Sequence, residues 1–261
     1  MVRQPEGSME RIPVEDVRAF ARTYRSAWPA PSFLAQLDSV ELDTVATAGT
    51  VVRFARSETL IREGDDGSDV YLLLTSTAKV SARTDGGGRA LLAVRVAGDA
   101  VGELAALDGA VRTATVEVCG RDPLVALRLE RGAFLRTMEA LPAVSLTLTA
   151  SVARKLRTAT RRRVDYTGSS SRVKLARVLV EMAEDYGRLS HGNSVVIGVD
   201  LTQVEWGALI GASESTAYRT MRALRELGLV DPGSRRLVVR DLPGLRDIAY
   251  PASCTPPYPV S

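Results

Sequence analysis

The stretch from Val101 to Val116 combines residue types that could bind a phosphorylated sugar. Gly102 permits a ligand to approach the backbone closely, and the residues that follow it can form a helical turn with free N–H groups. Arg112 adds a guanidinium, which binds phosphate through charge-assisted and often bidentate hydrogen bonds. The carboxylate of Glu103 can accept a hydrogen bond from a ribose hydroxyl. The stretch therefore predicts a site for a ribose that carries a phosphate.

The same stretch resembles the phosphate-binding cassette of cyclic-nucleotide-binding domains, through Gly102-Glu103-Leu104-Ala105 and, after a short spacer, Arg112-Thr113-Ala114. The resemblance implies that the nucleotide is bound by Gly102, Glu103, Leu104, Ala105, Arg112 and Thr113. In that assignment Glu103 binds the ribose 2′-hydroxyl, and Arg112 binds the cyclic phosphate together with the amides near Leu104 and Ala105. Thr113 contacts the phosphate or the base. The alternative without a ligand is a surface ion pair of Arg112 with Glu103 or Asp108.

The identity of the nucleotide is less firmly indicated. The run Arg112-Thr113-Ala114-Thr115 resembles the end of the cassette in cGMP-dependent kinases, where the threonine hydroxyl favours guanine. Bacterial regulators with this fold mostly use cAMP. We therefore expect an allosteric ligand, with cAMP first and cGMP second, and no cofactor.

The composition argues against a metal centre and against an enzyme. The chain has 261 residues but only two cysteines and one histidine, so it has no cluster of soft ligands for zinc, an iron–sulfur centre or haem. His191 lies in a predicted turn, Ser190-His191-Gly192-Asn193. Since no nucleophile, base and orienting group converge in the sequence, we expect no catalytic site.

Charge and hydropathy indicate the compartment and the partners. No apolar run approaches the length of a membrane span, and the polar start, Met1 to Glu10, lacks a signal-peptide core, so we expect a cytoplasmic protein without a membrane partner. Residues 150–261 carry 17 basic and 11 acidic side chains, whereas residues 1–149 carry 17 and 20. A basic second half is typical of nucleic-acid contact.

The first half reads as an N-terminal extension, residues 1–31, followed by a β domain, residues 32–132. The extension includes a predicted helix, Val14 to Ser26, that packs on a neighbour, and two short helical segments follow it, with Ser32 and Ser39 as candidate caps. Short β-branched segments separated by glycine and acidic turns then predict a jelly roll. The predicted strands are Val51–Phe54, Glu58–Ile61, Asp69–Thr75, Ala78–Thr84, Arg89–Val96, Thr113–Val118 and Leu124–Leu129.

Residues 133–166 form a predicted dimerisation region with a long helix from Pro142 to about Val164. A narrow apolar seam of coiled-coil type is predicted along it, at Leu148, Val152, Leu156 and Ala159. The seam favours a homodimer, and the alternative is a helix that packs only on its own β domain. In relatives this helix also places polar residues over the base. Thr160 is the hydrogen-bonding candidate at that position, beside Ala159.

The last part begins after a flexible linker, residues 167–171, and reads as a winged helix-turn-helix, residues 172–249, with a disordered tail, residues 250–261. Two helices, Leu201–Ile210 and Ser213–Leu227, are joined by a turn at Gly211-Ala212, and Leu237-Val238-Val239 completes a wing. Together with the cassette, this half resembles the CRP/FNR (catabolite activator protein) superfamily of bacterial transcription regulators. The implied fold class is α+β: a cyclic-nucleotide-binding jelly roll, a long dimerisation helix and a winged helix-turn-helix.

In that superfamily the second helix of the motif enters the major groove by its N-terminal residues. The resemblance assigns base contacts to Glu214, Ser215 and Arg219, and phosphate contacts to Thr202, Ser213 and Thr216. It implies a homodimer on a pseudo-palindromic operator of double-stranded DNA, with RNA polymerase as a further candidate partner. The alternatives are a relative with another effector or none, a helical hairpin that binds no DNA, and a nucleotide-gated enzyme.

Overall fold

The computed structural model describes residues 14–233 and 236–251. The chain forms two compact units, Met1–Arg157 and Thr158–Ser261, so the division lies inside the long helix and not at the predicted linker. Helices and antiparallel strands occur in both units, which confirms the α+β class. Within the described ranges, no helix combines the length and apolar character that a membrane crossing requires.

Short strands and flanking helices make up the first unit. In chain order they are α1 (Val14–Tyr24), α2 (Ser39–Thr47), β1 (Thr50–Phe54), β2 (Thr59–Ile61), β3 (Val70–Leu73), β4 (Thr77–Arg83), β5 (Arg89–Val96), β6 (Ala100–Val101), α3 (Glu103–Asp108), β7 (Thr115–Val118), β8 (Leu124–Leu129), α4 (Arg131–Ala140) and α5 (Pro142–Gly168), of which α5 continues into the second unit. All the predicted strands are present. The pattern missed β6, which is too short to show an alternation.

The strands form two antiparallel sheets, in the orders β1-β8-β3-β6 and β2-β7-β4-β5. Side chains from both sheets, including Phe54, Leu73 and Val116, form one buried cluster. Alternate residues of the first sheet, such as Leu72 and Leu127, face the other way and form a second cluster with the helices. The period of two along each strand produces these two cores, and the jelly roll is confirmed.

The described part of the N-terminal extension, from Val14 onward, packs on the β domain, as predicted. Trp28 is buried, and its indole N–H donates a hydrogen bond to the carbonyl oxygen of Leu74 at 3.0 Å. The predicted caps were wrong. Asp38, not Ser39, caps α2 in a reciprocal capping box with Glu41, and the Ser32 hydroxyl donates to the carbonyl of Pro29. Ser39 is the first residue inside the helix, whereas a cap must stand outside the first turn.

The long helix α5 presents different residues on its two sides, and the predicted seam was wrong at Leu148. Val144, Leu148 and Ser151 are buried on one side, and Leu148, at 3% exposure, belongs to the core of its own domain. Leu146 and Leu156 are 71% and 66% exposed. The apolar surface that α5 leaves uncovered within the first unit therefore includes Leu146 and Leu156 but not Leu148.

The second unit contains the end of α5 and the elements that follow. They are α6 (Ser171–Tyr186), β9 (Arg188–Leu189), β10 (Val195–Ile197), α7 (Gln203–Leu209), α8 (Glu214–Glu226), β11 (Val230–Gly233), β12 (Arg236–Val239) and α9 (Leu242–Ala249), and the strands pair in the order β11-β12-β10-β9. Helices α7 and α8 with the β11–β12 hairpin form the predicted winged motif. The sequence pattern did not identify α9, which packs on α6.

Both ends of this unit differ from the predicted boundaries. Helix α5 continues to Gly168 and α6 begins at Ser171, so only residues 169–170 of the predicted linker lie outside a helix. Tyr250, which was predicted to begin the disordered tail, packs under the guanidinium of Arg177 at 5.6 Å from its ring centre. The remainder of that predicted tail, from residue 252 onward, lies outside the described residues.

Candidate functional site

Gly102 sits where strand β6 turns into helix α3. Its φ of +84° lies in the left-handed region, which favours glycine. A Cβ at this position would lie 2.7 Å from Nη1 of Arg112 and 2.7 Å from the carbonyl oxygen of Asp69. The absence of a side chain therefore allows the Arg112 guanidinium to lie directly against the backbone.

Arg112 is held in place by backbone groups from three sides. Its Nη1 donates to the carbonyl of Gly102 at 2.8 Å, and its Nη2 donates to the carbonyl of Asp69 at 2.6 Å. Its own main chain pairs with the Ile61–Asp65 turn, through Gly64 N to Arg112 O at 2.8 Å and Arg112 N to Asp65 O at 3.0 Å. The residue is 6% exposed, and this burial lowers the pKa of Arg112, although a guanidinium stays charged at neutral pH.

Glu103 pairs with a residue that the sequence pattern did not single out. Its Oε1 lies 2.8 Å from Nζ of Lys155 on α5, and the same ammonium donates to the carbonyl of Ala100 at 2.7 Å. Glu103 is 4% exposed, and the Lys155 side chain is 17% exposed. Burial lowers the pKa of Lys155, while the charge of Glu103 opposes that change.

These contacts contradict the alternative in which Arg112 pairs on the surface with Glu103 or Asp108. Glu103 pairs with Lys155, and Asp108 accepts a hydrogen bond from the amide of Ala110 at 2.9 Å. The available signal for Lys155 was weak: it follows Val144, Leu148 and Ser151 at helical spacing on the buried side of α5. A charged residue on an otherwise buried helix side needs a partner, but the pattern does not name that partner.

The remaining predicted ligand residues occupy different environments. Ala105 is buried and Leu104 is about half exposed on α3. Thr113 is exposed, whereas the buried Thr115 hydroxyl accepts a hydrogen bond from the amide of Glu63 at 3.1 Å. Thr160 is exposed and belongs to the second unit, so its contact with a base stays a prediction.

An ion pair behind Arg112 fixes the segment that supplies one of its acceptors. Arg128 donates from Nε to Oδ2 of Asp69 at 2.7 Å, and the carbonyl of the same Asp69 accepts from Arg112. Tyr71 is close to these charges, and burial raises the pKa of its hydroxyl. Its ring makes an edge contact with Phe54 at 5.8 Å. Sequence reasoning did not single out Asp69, Tyr71 or Arg128.

In the second unit, the helix-turn-helix is fixed by caps and by one close backbone approach. Thr202 and Glu205 form a capping box on α7, and the Ser213 hydroxyl accepts from the amide of Thr216 at the start of α8. A Cβ on Gly207 would lie 2.7 Å from the carbonyl oxygen of Ala212, so the turn between the helices requires glycine there. The predicted cap at Ser213 is confirmed.

Several polar side chains at the start of α8 face solvent. Glu214, Ser215 and Arg219 are exposed, as a surface that reads base edges requires. The Ser213 hydroxyl donates to Oγ1 of Thr216 at 2.9 Å, and Thr216 also accepts from Nη2 of Arg219 at the long distance of 3.5 Å. Tyr218 is exposed on the same helix and was not identified from the sequence.

Comparisons with known proteins match both units. Residues 51–140 match the family model of the cyclic nucleotide-binding domain, and residues 173–248 match that of the Crp-like helix-turn-helix domain. The CRP-like cAMP-activated global transcriptional regulator of Mycobacterium tuberculosis is 25% identical over 190 residues, which span 73% of this chain and 84% of that protein.

Two solved structures share the fold. FixK2 from Bradyrhizobium japonicum superposes with a TM-score of 0.66 at 19% identity, over 78% of this chain and 98% of its own. The c-di-GMP responsive global regulator CLP of Xanthomonas campestris has a TM-score of 0.66 at 16% identity, over 78% of this chain and 100% of its own.

Proposed function

Because the chain belongs to the CRP/FNR superfamily of cyclic-nucleotide-binding transcription regulators, we propose that it is a cytoplasmic homodimer in which a cyclic mononucleotide controls binding to a pseudo-palindromic operator. The superfamily is one of transcription regulators, and the proposal assigns no catalytic step to this chain. RNA polymerase is a further proposed partner.

The observation that carries the nucleotide site is the arrangement of Arg112 and Glu103 around Gly102. The two terminal nitrogens of Arg112 donate hydrogen bonds to backbone carbonyls. The guanidinium has further N–H donors that can bind a phosphate. Glu103 is a buried carboxylate with free lone pairs for a ribose hydroxyl beside its ion pair to Lys155. A cyclic phosphate fused to a ribose matches both groups at once.

The ion pair between Lys155 and Glu103 connects the proposed ligand site to the long helix α5. Lys155 lies on α5 and holds the carboxylate that would accept from the ribose, so a bound nucleotide changes the surroundings of a charge on α5. A ligand shifts an equilibrium between two arrangements only through its different affinity for them. We propose that the ribose, Glu103 and Lys155 supply that difference, and that Thr160 adds a contact to the base.

We propose cAMP as the effector and cGMP as the second candidate. The Mycobacterium tuberculosis relative is named as cAMP-activated, which supports the first choice. Thr113 is exposed, so its hydroxyl is free to reach a guanine. The Xanthomonas campestris regulator, which shares the fold, is described as responsive to c-di-GMP, so a different effector is the alternative that must be tested alongside these two.

The experiment that tests the nucleotide site is calorimetric titration of the full chain with cAMP, cGMP and c-di-GMP. We expect saturable binding of cAMP, abolished in Arg112→Ala and in Glu103→Gln, and retained in Arg89→Ala, which removes an exposed arginine from strand β5. Because Arg112 also donates hydrogen bonds to two backbone carbonyls, circular dichroism must first establish that the variant is folded. The absence of binding heat with all three nucleotides would contradict the proposal.

The DNA-binding part is tested separately, with duplexes that the protein selects from a random library. We expect retention of a palindromic site, stronger with nucleotide than without, and loss of the base preference in Arg219→Ala. Nucleotide binding without retention of any duplex would instead favour the alternative of a nucleotide-gated protein that does not bind DNA.

A further inference from the structure

Two ion pairs attach the last turns of α5 to α6, and all four residues belong to the second unit. Nη2 of Arg162 lies 2.8 Å from Oε1 of Glu181, and Nη1 of Arg177 donates to the carboxylate of Asp165. The positive charge comes first along α5 and also first along α6, so the two pairs run in opposite directions along the helices. A shift of one helix past the other by one turn would therefore place like charges opposite each other. The two ion pairs favour a single register of α5 on α6.

Arg177 also connects this junction to the end of α9. Its Nε donates to the carbonyl of Ala249 at 2.8 Å, and its guanidinium lies over the ring of Tyr250 at 5.6 Å from the ring centre. Its Nη1 donates to the hydroxyl oxygen of Ser169, between α5 and α6, at 3.2 Å. One side chain thus holds together the end of α5, the connection that follows it and the end of α9.

The ion pair of Arg177 with Asp165 is largely buried, in contrast to the ion pair of Arg246 with Glu184, which joins α9 to α6. Both side chains of the first pair are 14% exposed, whereas Arg246 and Glu184 are 48% and 25% exposed. Water and salt screen an exposed pair, but a buried pair that loses one partner leaves an uncompensated charge. Arg177 therefore constrains the end of α5 more strongly than Arg246 constrains α9.

The end of α5 lies on the path from the proposed nucleotide site to the helix-turn-helix. Lys155, which pairs with Glu103, belongs to α5. Only residues 169–170 separate α5 from α6, and α6 packs on α8. A change at Lys155 can reach α8 through these helices if the end of α5 is held on α6.

We propose that Arg177 is a positioning residue for the control of DNA binding by the nucleotide: it holds the end of α5 on α6 and so couples the nucleotide site to α8. The inference rests on the proposed function. Arg177 acts through Asp165 and the end of α9, and it contacts neither the nucleotide nor the duplex in this proposal.

The test measures the affinity of the full chain for a duplex that the wild type selects, without nucleotide and with saturating cAMP, cGMP or c-di-GMP. The ratio of the two affinities is the coupling factor. Thermodynamic linkage requires that the duplex raise the nucleotide affinity by the same factor, which calorimetry measures independently. We expect Arg177→Gln to reduce both factors about 3-fold to 30-fold. The nucleotide affinity without DNA should stay that of the wild type, because Arg177 lies outside the nucleotide site.

A second variant keeps the test decisive if Arg177→Gln does not fold, since that variant leaves the Asp165 carboxylate without its counter-ion. Asp165→Ala removes the contact with α5, while Arg177 keeps the Ala249 carbonyl and the ring of Tyr250 as partners. We expect the same reduction of the coupling factor. Circular dichroism of each variant establishes that it is folded.

Arg246→Ala is the matched control, because it removes an ion pair of α6 that involves α9 and not α5. Coupling factors of Arg177→Gln and Asp165→Ala equal to that of Arg246→Ala would overturn the inference while the proposed function stands. A wild type whose duplex affinity changes with none of the three nucleotides would overturn the proposed control by a nucleotide and this inference with it.

Discussion

At the scale of single residues, Gly102 and Arg112 depend on each other. The guanidinium occupies the space that any side chain at position 102 would need, and it uses the Gly102 carbonyl as an acceptor. The proposed phosphate site therefore requires both residues, although they are separated along the chain by helix α3 and a loop.

Replacing Gly102 tests this dependence. We expect Gly102→Ala to lose most nucleotide affinity and to lower the free energy of unfolding by about 1–2 kcal/mol or more, from the left-handed φ and the displaced guanidinium. Gly109→Ala is the control, because Gly109 has a φ of +73° but no atom within 4 Å of its added Cβ. Titration calorimetry and urea unfolding measure the two effects. Equal losses of affinity in both variants would contradict the role of Arg112.

The pair of Glu103 and Lys155 leads to a second residue-scale prediction. Lys155→Met leaves a buried carboxylate without its counter-ion, so we expect a loss of about 3–5 kcal/mol in unfolding free energy. The double variant with Glu103→Gln should recover much of that stability, because the uncompensated charge is gone, but not the affinity for a cyclic nucleotide. Urea unfolding and calorimetry of the single and double variants check this. A double variant no more stable than Lys155→Met would contradict it.

At the scale of elements, helix α2 shows how a cap fixes a boundary. The carboxylate of Asp38 accepts from the amides of Val40 and Glu41, and the Glu41 carboxylate accepts from the amide of Asp38. The helix so begun buries Leu42, Val45 and Ala46 in the core that also contains Leu148 of α5.

Removal of this cap should destabilise the first unit measurably. We expect Asp38→Ala to cost about 1 kcal/mol of unfolding free energy, because two amides lose their acceptor. Ser39→Ala, at the position that the sequence suggested, should have an effect within about 0.5 kcal/mol, since Ser39 lies inside the helix on its exposed side. Thermal unfolding of the two variants compares them, and a larger effect of Ser39→Ala would show that the capping assignment is wrong.

At the scale of the whole molecule, the uncovered side of α5 is the surface on which a second copy is proposed to pack. Leu146 and Leu156 remain largely exposed there, whereas Leu148 is part of the protein's own core. The same helix thus has one side committed to its domain and another available for assembly.

Two leucines of α5 should therefore differ in their effects. We expect Leu156→Glu to weaken the dimer by about 3 kcal/mol, or about a hundredfold, because a carboxylate would be buried in the interface. Leu148→Ala should instead lower the free energy of unfolding by about 2–5 kcal/mol through a core cavity, with little change in the association of folded chains. Sedimentation velocity and urea unfolding separate the effects. A Leu156→Glu variant that sediments as the wild type does would contradict this surface.

The sequence by itself determined most of the element order, though not β6 or α9, and the residues that act through local spacing. Alternation and turn residues predicted the jelly-roll strands, and the prediction of Gly102, Glu103 and Arg112 as ligand residues came from one short stretch and its resemblance to a phosphate-binding cassette. The cap at Ser213 was predictable for the same reason: a cap and the amide that it accepts lie three residues apart.

Only the tertiary structure decided which distant groups meet. It paired Glu103 with Lys155, gave Arg112 the carbonyl of Asp69, and placed Leu148 inside and Leu156 outside. The spacing of apolar residues predicts that a helix has apolar sides. Which of those sides is buried depends on the elements that pack against the helix.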